Sequence, residues 1–299
     1  MTSHNPAACP LDAPMSQSSS EEKKKAERSN IKQLPLGFYF DAVTRGFHIV
    51  ARMKNVPGAL YDLLGRLQSS VDFVNSTCYS LGDGSAIWSG FGRSLLEDDT
   101  EGRLKELIEW SPFVLECEVK GSDHGLLVDT FHSGLEVAPD RLGIIIPIAG
   151  VAQIFDRSAQ TYGSAGKAIL FQEGSSLGKE SGHYLNAMLG HGDFDWKVKA
   201  LLAIYRAYGW GSAVLEVGEL GTRFRVTVRD CFECAEMGRA RQGCDFLRGH
   251  LASAISALSG KQFEGKETKC RLRGGPSCEF LLTRKEREEQ RDRETDSDS

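Results

Sequence analysis

The sequence predicts an α+β chain of two domains between polar ends. A strand, helix, strand, strand, helix, strand rhythm occupies residues 46–122, helical and then strand periodicities occupy 135–284, and five of the eight cysteines fall between Cys231 and Cys278. A chain of 299 residues is long enough for two units that each bury a core. Hydrophobic content of 40% and charged content of 26% are those of an ordinary globular protein.

Residues 1–34 are polar and include Ser16-Gln-Ser-Ser-Ser-Glu-Glu-Lys-Lys-Lys, and residues 285–299 alternate charges. Neither stretch carries enough apolar area to offset the entropy of ordering, so both are expected to be disordered. Phe47-His-Ile-Val-Ala-Arg-Met-Lys54 alternates as a strand does. Asn55-Val-Pro-Gly58 ends it, and Leu60, Leu63, Leu64 and Leu67 then recur at helical spacing. Strand-like runs from Phe73 to Leu81 and from Ser85 to Arg93 are separated by Gly82-Asp83-Gly84, a hairpin signal. A helix with Leu104, Leu107 and Ile108 and a strand from Phe113 to Val119 complete the set. This ferredoxin-like βαββαβ order, with Asn55-Val-Pro-Gly-Ala-Leu60 at its first turn, resembles the ACT regulatory domain. The resemblance implies dimerisation through the sheet and nominates Asn55 and Gly58 for an effector. Pro57 at a helix start and Gly58 in a tight turn also need no ligand to explain them.

In 135–284, Leu142-Gly-Ile-Ile-Ile-Pro147 is a short apolar run. Helical stretches then carry Val151, Ile154 and Phe155, and later Ile169, Leu170 and Phe171. Asp193 can cap a helix whose Phe194, Val198, Leu201, Leu202 and Tyr205 share a face, and Tyr208-Gly-Trp-Gly211 breaks it. Two strands, Ala213 to Glu219 and Phe224 to Cys231, precede a helix with Leu247, Leu251, Ala254, Ile255 and Leu258. A final hairpin turns at Gly-Gly-Pro, which predicts helices packed on an antiparallel sheet.

Chemistry concentrates in that hairpin. Glu267-Thr-Lys-Cys270 places a carboxylate and a thiol three positions apart, and Cys278 returns a thiol after the turn Arg271-Leu-Arg-Gly-Gly-Pro-Ser277. Cys244, at the start of the preceding helix, can supply a fourth donor. Three thiolates and a carboxylate suit tetrahedral zinc, and a site with four protein ligands leaves no place for a reacting water, so the ion would be structural. Taken singly, Cys244 or Cys278 would be a small buried hydrophobe. Glu267 favours the metal, because a carboxylate among Val, Leu and Phe positions is costly to bury without a cation or a hydrogen-bonding partner. Cys231-Phe-Glu-Cys234 is a separate Cys-x-x-Cys that follows a strand. Redox, iron-sulfur and tetrapyrrole roles are open to it, with packing or loop cysteines preferred.

This half resembles the 4-vinyl-reductase domain family, whose fold is shared with subunits of the TRAPP tethering complexes. The resemblance rests on Gly209-Trp-Gly211, Val226-Thr-Val-Arg-Asp-Cys-Phe232, Cys244-Asp-Phe, Gly249, Glu267-Thr-Lys-Cys270, Gly274 and Cys278-Glu-Phe280. In aromatic-hydrocarbon sensors of the family the corresponding Cys, Glu, Cys and Cys bind structural zinc beside a small-molecule pocket. Cys231 and Cys234 depart from that pattern. For an apolar or aromatic ligand, His183, Tyr184, Trp210, Phe232 and Phe246 are candidates, each of which core packing would equally explain. His183 follows Gly178-Lys-Glu-Ser-Gly182 and reads as a loop or helix-start residue.

A net charge of −5 with Lys23-Lys24-Lys25 as the one basic run argues against nucleic acid. No apolar window is long enough for a membrane span and no signal-peptide core is evident, so a cytoplasmic protein is expected. Phosphate-binding glycine motifs, nucleophile elbows and His-Glu-x-x-His pairs are absent from the sequence, which argues against an enzyme. The expectation is a zinc-stabilised, ligand-sensing or regulatory homodimer that acts through a protein partner. The alternatives are an enzyme or accessory of tetrapyrrole metabolism and a TRAPP-like scaffold.

Overall fold

The computed structural model describes residues 34, 37–39, 45–96, 100–122, 126–218, 221–234 and 243–285. The expected tails at 1–33 and 286–299 lie outside the described residues. The chain divides into two compact units, Met1–Gly143 and Ile144–Ser299.

In the first unit, strand β1 (Gly37–Tyr39) is followed by β2 (Gly46–Lys54), α1 (Ala59–Leu67), β3 (Val71–Ser80), β4 (Ser85–Ser94), α2 (Thr100–Glu109) and β5 (Val114–Gly121). Three short strands follow: β6 (Leu126–Val128), β7 (Leu135–Ala138) and β8 (Arg141–Gly143). The predicted βαββαβ order is observed, and its antiparallel sheet runs β3-β4-β2-β5. Alternation in β2 puts Phe47, Ile49, Ala51 and Met53 on one face, where they meet Leu63 and Leu67 of α1 and Leu104 and Ile108 of α2. Burial of these side chains supplies the main stabilising term. The turn before α1 closes with Gly58 at φ 90°, a left-handed conformation that suits glycine.

The second unit holds α3 (Ile148–Tyr162), α4 (Ser164–Leu189), α5 (Phe194–Ala207), β9 (Ser212–Val217), β10 (Arg223–Arg229), α6 (Asp245–Ser259), β11 (Phe263–Lys269) and β12 (Cys278–Arg284). Its antiparallel sheet has the order β11-β12-β10-β9. Phe224, Val226 and Val228 of β10 and Cys278, Phe280 and Leu282 of β12 point inward at every second position. They form one core with Leu247, Leu251 and Ile255 of α6 and Val198, Leu201 and Tyr205 of α5. Asp193 caps α5 as its sequence position predicts, its Oδ1 accepting from the Trp196 N–H at 2.8 Å.

Gly178-Lys-Glu-Ser-Gly182, which reads locally as a loop or a helix start, lies inside α4. Gly174, Gly178 and Gly182 are buried four residues apart on one side of this helix. A Cβ on Gly174 or Gly178 would strike the backbone carbonyl of Phe246 or His250, and one on Gly182 would lie 2.6 Å from Ala257 Cβ. Backbone packing against α6 thus outweighs the low helix propensity of glycine. No helix among the described residues is long and apolar enough to cross a membrane.

Candidate metal centre and aromatic cluster

Strand pairing assembles the thiol site. β11 and β12 pair antiparallel with Glu267 opposite Phe280, and the register shifts between Glu267 and Lys269. Cys270 follows directly, held over a 3-10 turn (Arg271–Arg273) whose Arg273 N–H donates to the Cys270 carbonyl at 3.0 Å. Gly274 at φ 89° ends that turn and lets the chain return to Cys278. Cys278 opens β12 opposite Val228 of β10. Residues that follow β10 therefore arrive beside it, and Cys231 and Cys234 bracket a 3-10 turn there (Phe232–Cys234).

Cys244 is the N-cap residue of α6 and makes no side-chain cap bond. Buried Glu233 performs that task, accepting from the Phe246 N–H at 3.2 Å and the Leu247 N–H at 2.8 Å. A carboxylate at a helix N-terminus also meets the positive end of the helix dipole. The Cys244 sulfur is thereby left facing the other thiols.

The predicted donors Cys244, Glu267, Cys270 and Cys278 converge, their ligand atoms all lying within 4.8 Å of one another. Cys231, Cys234, Cys244 and Cys278 make a second such group. Sequence reasoning treated the Cys-x-x-Cys as separate, whereas the structure makes it part of the same cluster. The missed signal is the β10–β12 pairing: Cys231 lies three residues beyond the partner of Cys278. All five thiols are buried, and Cys234 Sγ stands 3.2, 3.8 and 3.4 Å from Sγ of Cys244, Cys270 and Cys278. Cys244 and Cys278 are 3.6 Å apart.

Glu267 tests whether a cation fits. Its side chain is 9% exposed. Oε2 accepts from the Cys244 N–H at 3.2 Å and from Arg273 Nη2 at 3.3 Å, while buried Oε1 has no hydrogen-bond partner among the described residues. Burial first, and then the charge of Cys270, pushes the carboxyl up to about 8. A bound cation would satisfy the orphaned oxygen and oppose that shift.

Contacts with Cys234 and Cys244 bring the Cys270 thiol down to about 6. Contacts with Cys231, Cys234, Cys244 and Cys270 hold Cys278 far below the ordinary thiol range. Cys234 and Cys244 are pushed up, in each case with Cys231 as the first cause. The cluster therefore concentrates its first negative charge on Cys270 and Cys278, the form of sulfur that binds a metal. Four buried cysteines at this separation are compatible with a structural metal.

Of the five proposed pocket residues, Trp210, Phe232 and Phe246 come together. Trp210 lies 5.3 Å from Phe232 and 6.1 Å from Phe246, centroid to centroid. His183 is exposed on α4, and Tyr184 is half-buried against the core. The sequence did not nominate Phe155, 5.2 Å from Phe246, or His250, 4.9 Å from Trp210. Tyr205 OH and His250 Nδ1 form a buried hydrogen bond of 2.5 Å at this cluster. These residues are 45 apart, so only the α5–α6 packing reveals the pair. Burial raises the Tyr205 phenol well above its ordinary range.

A separate cleft of about 360 Å³ opens beside Glu267. Lys167, Arg248, Lys266, Arg273 and Asp245 make its walls polar. In the first unit, exposed Asn55 donates its N–H to the Gly84 carbonyl at 2.9 Å and Nδ2 to Ser80 Oγ at 3.0 Å, fixing the turn that Gly58 completes.

Residues 224–284, from β10 to the end of β12, match the model of the 4-vinyl-reductase domain. The resemblance drawn from the sequence is borne out over this segment. Among solved structures, the chain is similar to the phenol-responsive sensory domain of the transcription activator PoxR with phenol, at 15% identity and a TM-score of 0.42, over 48% of this chain and 77% of that one. It is similar to trafficking protein particle complex subunit 3 from Naegleria fowleri, covalently bound to palmitic acid, at 13% identity and 0.39, over 46% and 95%. A vinyl-4-reductase family protein from Methanocaldococcus jannaschii aligns at 19% identity and 0.33, over 48% and 85%. No curated protein matches the sequence.

Proposed function

We propose that the second unit is a zinc-stabilised sensing module for a small apolar or aromatic compound, acting as part of a regulatory homodimer. The observation that carries this reading is the convergence of Cys244, Glu267, Cys270 and Cys278 next to the aromatic cluster. One turn joins the two features, because Phe232 stands in the cluster and Cys234 among the thiols. The match to the 4-vinyl-reductase domain model supports the same reading.

Zinc would supply a structural cross-link between α6 and the β11–β12 hairpin. Trp210, Phe232 and Phe246 would hold a flat apolar ligand, and the Tyr205–His250 pair would offer it a polar contact. Its binding would require the rings to part. A ligand with different affinities for the closed and parted arrangements shifts their populations, which is the signal passed to a partner. The first unit would pair two chains through its sheet, whose edges are β3 and β5. An effector at Asn55 and Gly58 is the corresponding reading of its first turn.

Native mass spectrometry of gently purified protein tests this, with an expected content of about one zinc per chain in a dimer. Cys270→Ser is expected to lose the zinc and to melt at a lower temperature. Titration with phenol as the probe is expected to change tryptophan fluorescence in the wild type and not in Trp210→Phe. A metal-free wild type with unchanged melting in Cys270→Ser refutes the structural zinc.

A further inference from the structure

Four sulfurs in this unit have the spacing of one coordination shell. An ion held by metal–sulfur bonds of about 2.3 Å sets its ligand sulfurs about 3.8 Å apart. Cys234 Sγ lies 3.2, 3.4 and 3.8 Å from Sγ of Cys244, Cys278 and Cys270, and Cys244 is 3.6 Å from Cys278. Cys231 gives the contrast. It is as deeply buried, and it belongs to a group spanning up to 4.8 Å with Cys234, Cys244 and Cys278, but its Sγ stands 3.8 Å from that of Cys244. Packing as a small hydrophobe accounts for Cys231. Packing does not account for a thiol placed over a triangle of three others. Glu267 meanwhile has Oε2 occupied by the Cys244 N–H and Arg273.

We propose that Cys234 is a metal ligand, and that in the arrangement described here it supplies the fourth donor of an all-sulfur site with Cys244, Cys270 and Cys278, in place of Glu267. The proposal rests on the reading of this cluster as a metal centre and changes its fourth ligand. An all-thiolate shell is softer than one with a carboxylate, so the site favours zinc and other thiophilic ions over magnesium or calcium. Coordination costs Cys234 its thiol proton, which passes to solvent. The bond also ties down the turn that carries Phe232 and Glu233, joining the metal to the aromatic cluster and to the cap of α6.

The test is cobalt(II) loading of the full chain, since the thiolate-to-cobalt charge-transfer absorption and the ligand-field bands report how many sulfurs bind. The wild type is expected to show four thiolates, Cys234→Ala three, and both Cys231→Ala and Glu267→Gln four. A Cys234→Ala spectrum identical to that of the wild type overturns the proposal, as does a loss of sulfur ligation in Cys231→Ala alone. If Cys234→Ala does not fold, Glu267→Gln still decides: an altered shell in that variant places the carboxylate on the ion and overturns the proposal. A wild type that binds no cobalt removes the metal centre itself, and the proposal with it. A three-thiolate wild type leaves the centre standing and removes Cys234 from it.

Discussion

His48, buried in the middle of β2, has one ring nitrogen 2.8 Å from Ser89 Oγ and a buried Nδ1 with no partner among the described residues. Phe91 stacks on it at 4.0 Å and Phe131 lies 5.0 Å away. Burial lowers its pKa to about 4, with Asp129 opposing the shift and His132 and Lys120 adding to it. The folded state keeps the ring neutral, while the unfolded chain takes up a proton below about 6.5. The stability this site protects is present above that pH and is lost as the pH falls towards 4. Urea unfolding of the first unit is expected to show a midpoint that drops across this window in the wild type and is flatter in His48→Gln. A pH-independent wild-type midpoint would count against the account. Residues at this scale were legible where chemistry and spacing coincide: Cys244, Glu267, Cys270 and Cys278 could be picked out from one chain segment. Cys234 and His250 could not, because their neighbours come from pairing and packing across the unit.

At the scale of elements, α4 and α6 meet backbone to backbone. Gly178 has no room for a methyl group against His250. Gly178→Ala is expected to destabilise the second unit by about 2–3 kcal/mol through overpacking. The exposed neighbour serves as control, and Lys179→Ala should change stability by less than about 0.5 kcal/mol. Chemical denaturation of both variants measures the difference, and equal midpoints would remove the packing argument. Periodicity made the helices near Phe155, Leu170 and Leu201 legible, since their apolar faces repeat every three or four residues. Gly178 and Gly182 misled because glycine usually breaks helices, and the reason to keep them here is a partner helix some 70 residues later in the chain.

For the molecule as a whole, the two units were legible as patterns of elements, and the order β3-β4-β2-β5 follows from connecting them without crossings. The close approach of α4 to α6 is a matter of three-dimensional packing that no local window contains. If metal binding supplies part of the folding free energy of the second unit, removing the ion should loosen that unit. Hydrogen exchange with and without EDTA is expected to show faster exchange in β11, β12 and α6, with β2 and β4 unchanged. Uniform protection in both conditions would remove the metal from the stability of the fold.

The register shift between Glu267 and Lys269 has a further consequence. A strand moved by one residue turns all its side chains to the opposite face, and a slipped β11 would carry the Glu267 carboxylate to solvent and draw Cys270 off its mark. Only the native alignment lets both return to the thiols around Cys278. A bound ion would thus proofread the hairpin, rewarding one alignment and leaving every neighbouring one without its cross-link.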